Sequence, residues 1–136
     1  MGIGLKNPEG YKDPVPYEAL KDVDKKEHQY RRLVYICSAY SGDIEGNAHK
    51  ARRYSRFAVD EGYIPFAPHL LLPQYMKEEG ERDLAIFMDI VFLTKCKELW
   101  VFGESPSAGM EIEIEQAKKR NMTIRYFSED LKEVIK

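Results

Sequence analysis

The chain has 136 residues, enough for one domain with a real core, and its formal net charge of −2 provides no basic field to recruit nucleic acid. No apolar signal region opens it, and its longest nearly apolar run, LAIFMDIVFL, falls short of the ~20 residues that span a bilayer, so no membrane association is expected. Cys37 and Cys96 stand far apart without CxxC or CxxH spacing, which predicts buried thiols in a cytoplasmic protein rather than a disulfide or a zinc pair.

Residues 1–29 are polar and interrupted by three prolines, and are expected to form an irregular arm with a short helix over Tyr17–Val23. The domain over 30–136 opens with RLVYICSAY, a β-branched and aromatic run that reads as a buried strand. Asp43 is placed to cap a helix over Ile44–Glu61, in which Ile44, Ala48, Ala51, Ser55 and Ala58 share one face. Gly62 ends that helix where a left-handed residue is wanted. YIPFAP reads as a short second strand and HLLLPQYM as a loop. A second helix is expected over Glu81–Lys95, followed by the buried strand ELWVFG and the turn ESPSAG. A third helix over Ser107–Arg120 and the strand MTIRYF come next. SEDLKEVIK reads as a short closing helix capped by Ser128.

Strands alternating with helices predict an α/β fold: a doubly wound, mostly parallel sheet of about four to five strands in a flavodoxin- or Rossmann-like three-layer sandwich. Ligands in such folds sit beyond the carboxyl ends of the strands, where SAYSG, APHLL and ESPSAG emerge.

Successive side chains of the third helix turn by about 100°. Met110, Ile114, Ala117 and Asn121 then form a core-facing stripe, and Glu111 and Glu115 point toward water. Glu113 lies on the flank of the stripe between Gly109 and Ala117, where little side-chain bulk leaves room for a ligand. The helix macrodipole favours its ionised form unless burial offsets that effect. A desolvated carboxylate there suits a nucleophile or an electrostatic stabiliser, and a solvated glutamate is the plainer reading.

Asp89 is the single polar residue within LAIFMDIVFL. An unpaired buried charge costs several kcal/mol. It must therefore meet a loop amide or an arginine, or else serve a substrate's hydroxyls or a proton transfer. Ser38, Tyr40, Ser41 and Gly42 offer hydroxyls and amides after the first strand. Without GxGxxG or a Walker lysine they make neither a dinucleotide nor a triphosphate loop. Ser107 opens a helix, as an anion site or simply as a cap. His69 either lines the pocket or is structural, and HKARRYSR reads as a solvated helix face. No cluster has metal-ligand spacing. Two carboxylates on neighbouring helices facing one crevice are the tools for cleaving a glycosidic bond with retention. Ile112, opposite the buried stripe, and YMKEEGER, flanking a very apolar helix, both hint at an oligomer interface.

From Leu33 to Phe127 the residues resemble the nucleoside 2-deoxyribosyltransferase superfamily. GMEIEIEQA fits that family's Gly-x-x-x-Glu-(Ile/Leu)-Gly-x-Ala helix through Gly109, Glu113, Ile114 and Ala117. The resemblance implies that Glu113 attacks the anomeric carbon and carries the glycosyl group covalently. Tyr35 falls where a tyrosine hydroxyl touches the nucleophile, and Asp89 near an aspartate that contacts the sugar or the leaving base. Ser107 matches a serine that binds phosphate in the branch acting on nucleoside 5′-monophosphates. Glu115 stands where the family has a small glycine, Ser41 where the monophosphate branch has an arginine, and Cys96-Lys97 where many relatives carry an aspartate. The whole run looks closest to an uncharacterised branch. The resemblance further implies a nucleoside or nucleotide substrate, no cofactor, and homo-oligomers. A non-catalytic pocket for a nucleotide or an NAD-derived ligand is the alternative expectation.

Overall fold

Side chains alternate across a strand, and in this chain both sets are apolar, so the central strands are buried on two faces. The structure, a computed structural model, describes residues 30–136. The arm over 1–29, with the helix expected at Tyr17–Val23, lies outside the described residues. Five strands form one sheet: β1 (Leu33–Cys37), β2 (Ile64–Phe66), β3 (Glu98–Phe102), β4 (Thr123–Phe127) and β5 (Glu133–Val134). Their order is β2-β1-β3-β4-β5. The first four run parallel and β5 is antiparallel to β4. This is the flavodoxin-like strand order, with its switch point between β1 and β3.

One face of the sheet presents Tyr35, Cys37, Leu99 and Val101 to helix α2 (Glu78–Lys95) and helix α3 (Ala108–Lys119), where Leu93, Met110, Ile114 and Ala117 complete the core. The other presents Val34, Ile36, Trp100, Phe102 and Phe127 to helix α1 (Ile44–Asp60) through Tyr54 and Ala58. The expected α/β sandwich is thus the observed one.

Local chemistry explains the boundaries. Asp43 caps α1 by accepting the Gly46 amide at 3.1 Å. Gly62 follows the helix at φ +91°, a conformation that favours glycine. Pro65 is tolerated in β2 because β2 is an edge strand. The loop expected over HLLLPQYM contains two single 3-10 turns, Pro68–Leu70 and Leu72–Gln74. In α2 the backbone is non-helical at Glu79 and Gly80, so regular helix begins near Glu81. Buried Glu98, at the start of β3, receives Arg32 at 3.2 Å and the Trp100 indole N–H at 2.9 Å, which satisfies both its oxygens.

Three expectations are corrected. Ile44 is 48 % exposed, and the buried face of α1 is instead Ala51, Tyr54 and Ala58. Asn121 is exposed at φ 56°, because α3 ends at Lys119 before the stripe can reach it. SEDLKEVIK is not a helix. The Ser128 hydroxyl accepts the Asp130 and Lys132 amides, and the chain turns back to pair Val134 with Tyr126. A nine-residue helix is marginal in water, whereas the turn lets Glu133 hold the Arg125 guanidinium with two bonds of 2.8 and 2.9 Å. Arg125 in turn lies 4.7 Å over the Trp100 ring and 5.2 Å over Phe127, covering sheet beside α1.

Candidate active site

The carboxyl ends of β1 and β3 diverge at the switch point, and a crevice opens there between α2, α3 and the 3-10 turns. It offers about 170 Å³, close to the ~150 Å³ of a cavity that accepts a benzene ring. Ser38, Tyr40, Ser41, His69, Asp89, Ser107, Gly109 and Glu113 all line it. Gly42, at φ +94° in the turn after β1, is not among the lining residues. Tyr35 stands behind Glu113 rather than in the wall.

Helix α3 delivers Glu113. The Ser107 hydroxyl caps this helix by accepting the Met110 amide at 3.3 Å, which leaves its own hydrogen free for a ligand. Glu111 and Glu115 are exposed, as their helical positions require, whereas Glu113 is only 5 % exposed. A Cβ placed on Gly109 would meet nothing within 4 Å, so the space beside the carboxylate is real.

Glu113 accepts the Tyr35 hydroxyl at 2.6 Å through Oε2, and its Oε1 is buried without a partner. Burial pushes its pKa from 4.5 up to about 7, with a further push from Asp89; the Tyr35 hydroxyl and the Cys37 thiol pull down and are outweighed. Burial thus offsets the ionised form that the helix dipole was expected to favour. Glu113 sits in the second turn of α3, beyond the reach of the dipole, so desolvation wins. The same burial holds the Tyr35 hydroxyl and the Cys37 thiol well above their ordinary values, so both remain protonated.

Helix α2 delivers Asp89 to the same crevice. Its Oδ1 is buried with no partner, and burial lifts its pKa from 3.8 to about 7. Neither a loop amide nor an arginine meets that oxygen. Two carboxyl groups, each with a bare oxygen, therefore share one hollow, and near neutrality repulsion favours one charge between them.

His69 serves both of the roles the sequence left open. Its Nε2 donates to the Ser38 carbonyl at 2.6 Å, and its ring centroid lies 5.3 Å from that of Tyr40 at an interplanar angle of 31°, so two tilted rings line this side of the crevice. Burial lowers its pKa, which keeps the ring neutral with Nδ1 as an acceptor. The Ser38 hydroxyl is buried and unpartnered. Cys37 and Cys96 are both free and buried.

The wall that sequence reasoning missed is apolar. Leu72 and Met76 come from the 3-10 region, and Ala85, Ile86 and Ile90 come from α2, with Arg82 at its start. The signal was present: positions 82, 85, 86, 89 and 90 have the spacing of one helix face. It was hidden because α2 is apolar on its other faces too.

Among the described residues no group of three or more His, Cys, Asp or Glu could hold a metal, and no helix is long and apolar enough to cross a membrane. No curated protein matches the chain. The family model for a domain of unknown function, DUF7768, matches residues 32–127, which takes in every lining residue of the crevice, and the chain belongs to that family.

Proposed function

We propose that this protein cleaves or transfers the N-glycosidic bond of a nucleoside or nucleotide through a covalent glycosyl-Glu113 intermediate, as its likeness to the nucleoside 2-deoxyribosyltransferases suggests. The observation that carries this reading is the pairing of Glu113 and Asp89, each with a bare carboxyl oxygen, in one ring-sized crevice. In the working state Glu113 is ionised and Asp89 protonated. Glu113 Oε1 attacks the anomeric carbon as the bond to the base nitrogen breaks, and Asp89 gives its proton to the departing base. Water or a second base then attacks the same carbon, giving its proton to the Asp89 carboxylate, as the bond to Glu113 breaks; this releases Glu113 and restores the configuration. Tyr35 holds the nucleophile by its other oxygen. Ser38, Ser41 and Ser107 provide hydroxyls for the 5′ end of the substrate, and the Tyr40–His69 wall provides a surface on which a base stacks. The chemistry needs no metal or redox cofactor. The cytoplasm, which keeps Cys37 and Cys96 reduced, is the compartment that suits it.

The test is incubation with a panel of nucleosides, deoxynucleosides and their 5′-monophosphates, reading free base by chromatography. Base release by the wild type, lost in Glu113→Ala, is expected. No release, or equal release by the variant, contradicts the proposal. The Tyr40 and His69 rings in the lining also favour a second reading, a pocket that binds a nucleotide or an NAD-derived ligand without consuming it. Its mark is thermal stabilisation by a ligand recovered intact.

A further inference from the structure

A second hollow opens on the other side of the sheet, between α1 and the turns that follow β1, β3 and β4. It lies beyond the carboxyl ends of the parallel strands, where α/β folds place ligands. Its volume is about 600 Å³, inside the ~300–1,000 Å³ range of small-molecule sites.

The inner end of this hollow holds a bare polar group. Val34 and Ile36 of β1 face α1, and Ser38 continues that alternation, so its hydroxyl is offered on this side as well as to the crevice. Ser38 lines both hollows. The residue is only 3 % exposed, and its hydroxyl is buried without a partner. Such a group costs free energy that a ligand's polar atom would recover. Tyr54 and Phe102, also in the lining, stack at 4.2 Å and 10° and provide apolar surface.

The rim is acidic. Glu104 comes from the turn after β3, and Glu129 and Asp130 from the turn after β4, against Lys50 of α1 as the one cation of the lining. Three acids and one base leave a surplus of two negative charges. One ammonium is already seated there, because Lys50 Nζ lies 3.2 Å from Glu129 Oε1. Arg53, outside the lining, bonds the Glu129 backbone carbonyl rather than its carboxylate. Among the described residues Glu104 and Asp130 hold no cation. A divalent metal needs carboxylates converging on one point, and among the described residues no group of three metal-ligating side chains does so. Two separated ammonium groups meet the same charge without that convergence.

We propose that this hollow binds a small linear diamine. The rim carboxylates take its ammonium groups, its methylene chain lies against the Tyr54 and Phe102 rings, and the Ser38 hydroxyl accepts one N–H. The site is separate from the crevice chemistry and stands whether or not the crevice cleaves nucleosides.

Isothermal titration of the full chain with 1,4-diaminobutane at low ionic strength tests it. One molecule should bind per chain, more weakly as salt rises. Glu104→Gln combined with Asp130→Asn, both at exposed positions, should weaken binding roughly tenfold with circular dichroism unchanged. Lys50→Ala, which vacates the Glu129 carboxylate, should tighten it. Glu113→Gln, in the crevice, should bind as the wild type does. No binding at millimolar ligand, equal binding by the double variant, no tightening in Lys50→Ala, loss in Glu113→Gln, or an equal response to magnesium at matched ionic strength would each overturn the proposal.

Discussion

The Tyr35 hydroxyl donates to Glu113 Oε2 at 2.6 Å, joining β1 to α3 across 78 residues of sequence. The bond fixes the carboxylate by one oxygen and leaves the other buried without a partner. It also favours the charged form against the burial that opposes it. Tyr35→Phe should therefore raise the Glu113 pKa further. The acid limb of the pH–rate profile should move to higher pH and kcat fall by roughly 10–100-fold, with the fold retained. An unshifted limb would show that the hydroxyl does not tune the acid.

Burying Glu113 has a cost that depends on pH. The unfolded chain releases this proton near 4.5 and the folded chain near 7. Between those values the folded state binds more protons, so this contribution is fully present at low pH and is lost as pH rises toward 7. At 1.36 kcal/mol per pH unit the loss is about 3 kcal/mol. Urea titrations of Glu113→Gln should match the wild type near pH 4.5 and exceed it by that order at pH 8. Equal stability at pH 8 would refute the raised pKa.

Asp89→Asn separates stability from activity. Asp89 is half-buried, so water screens part of the cost of its charge, but its Oδ1 lacks a partner. The variant should melt at a slightly higher temperature than the wild type at pH 8. Base release should slow by roughly 10²–10⁴-fold and lose its alkaline limb, because the proton donor is gone. Thermal scans and rates on one preparation read both effects.

Arg125 is the structural counterpart. It bridges Glu133, Trp100 and Phe127 at the far face of the sheet, away from the crevice. Arg125→Ala should lower stability by about 1–2 kcal/mol in urea while leaving base release per folded molecule unchanged.

The layering was legible in the sequence because the LVYIC and LWVF stretches of β1 and β3 are apolar or aromatic throughout, as doubly buried strands are. The choice of Glu113 among three glutamates was legible from helical phase alone. Its protonation was not: phase places a side chain but cannot weigh the desolvation imposed by strands distant in sequence. The last nine residues were misread because local capping at Ser128 suits a helix and a turn alike. What decides for the turn is Arg125, whose guanidinium is positioned by a strand pairing that no local pattern reveals. The apolar wall on α2 was missed for a related reason, since a helix greasy on every side hides which side lines a pocket.

The central claim is that Glu113 is the atom-bearing nucleophile, and intact-protein and peptide mass spectrometry test it most directly. After brief incubation with a substrate nucleoside and rapid acid quench, a glycosyl mass should be found on the peptide containing Glu113, and be missing from Glu113→Gln. Base release with no adduct at that residue, or an adduct elsewhere, would contradict the account.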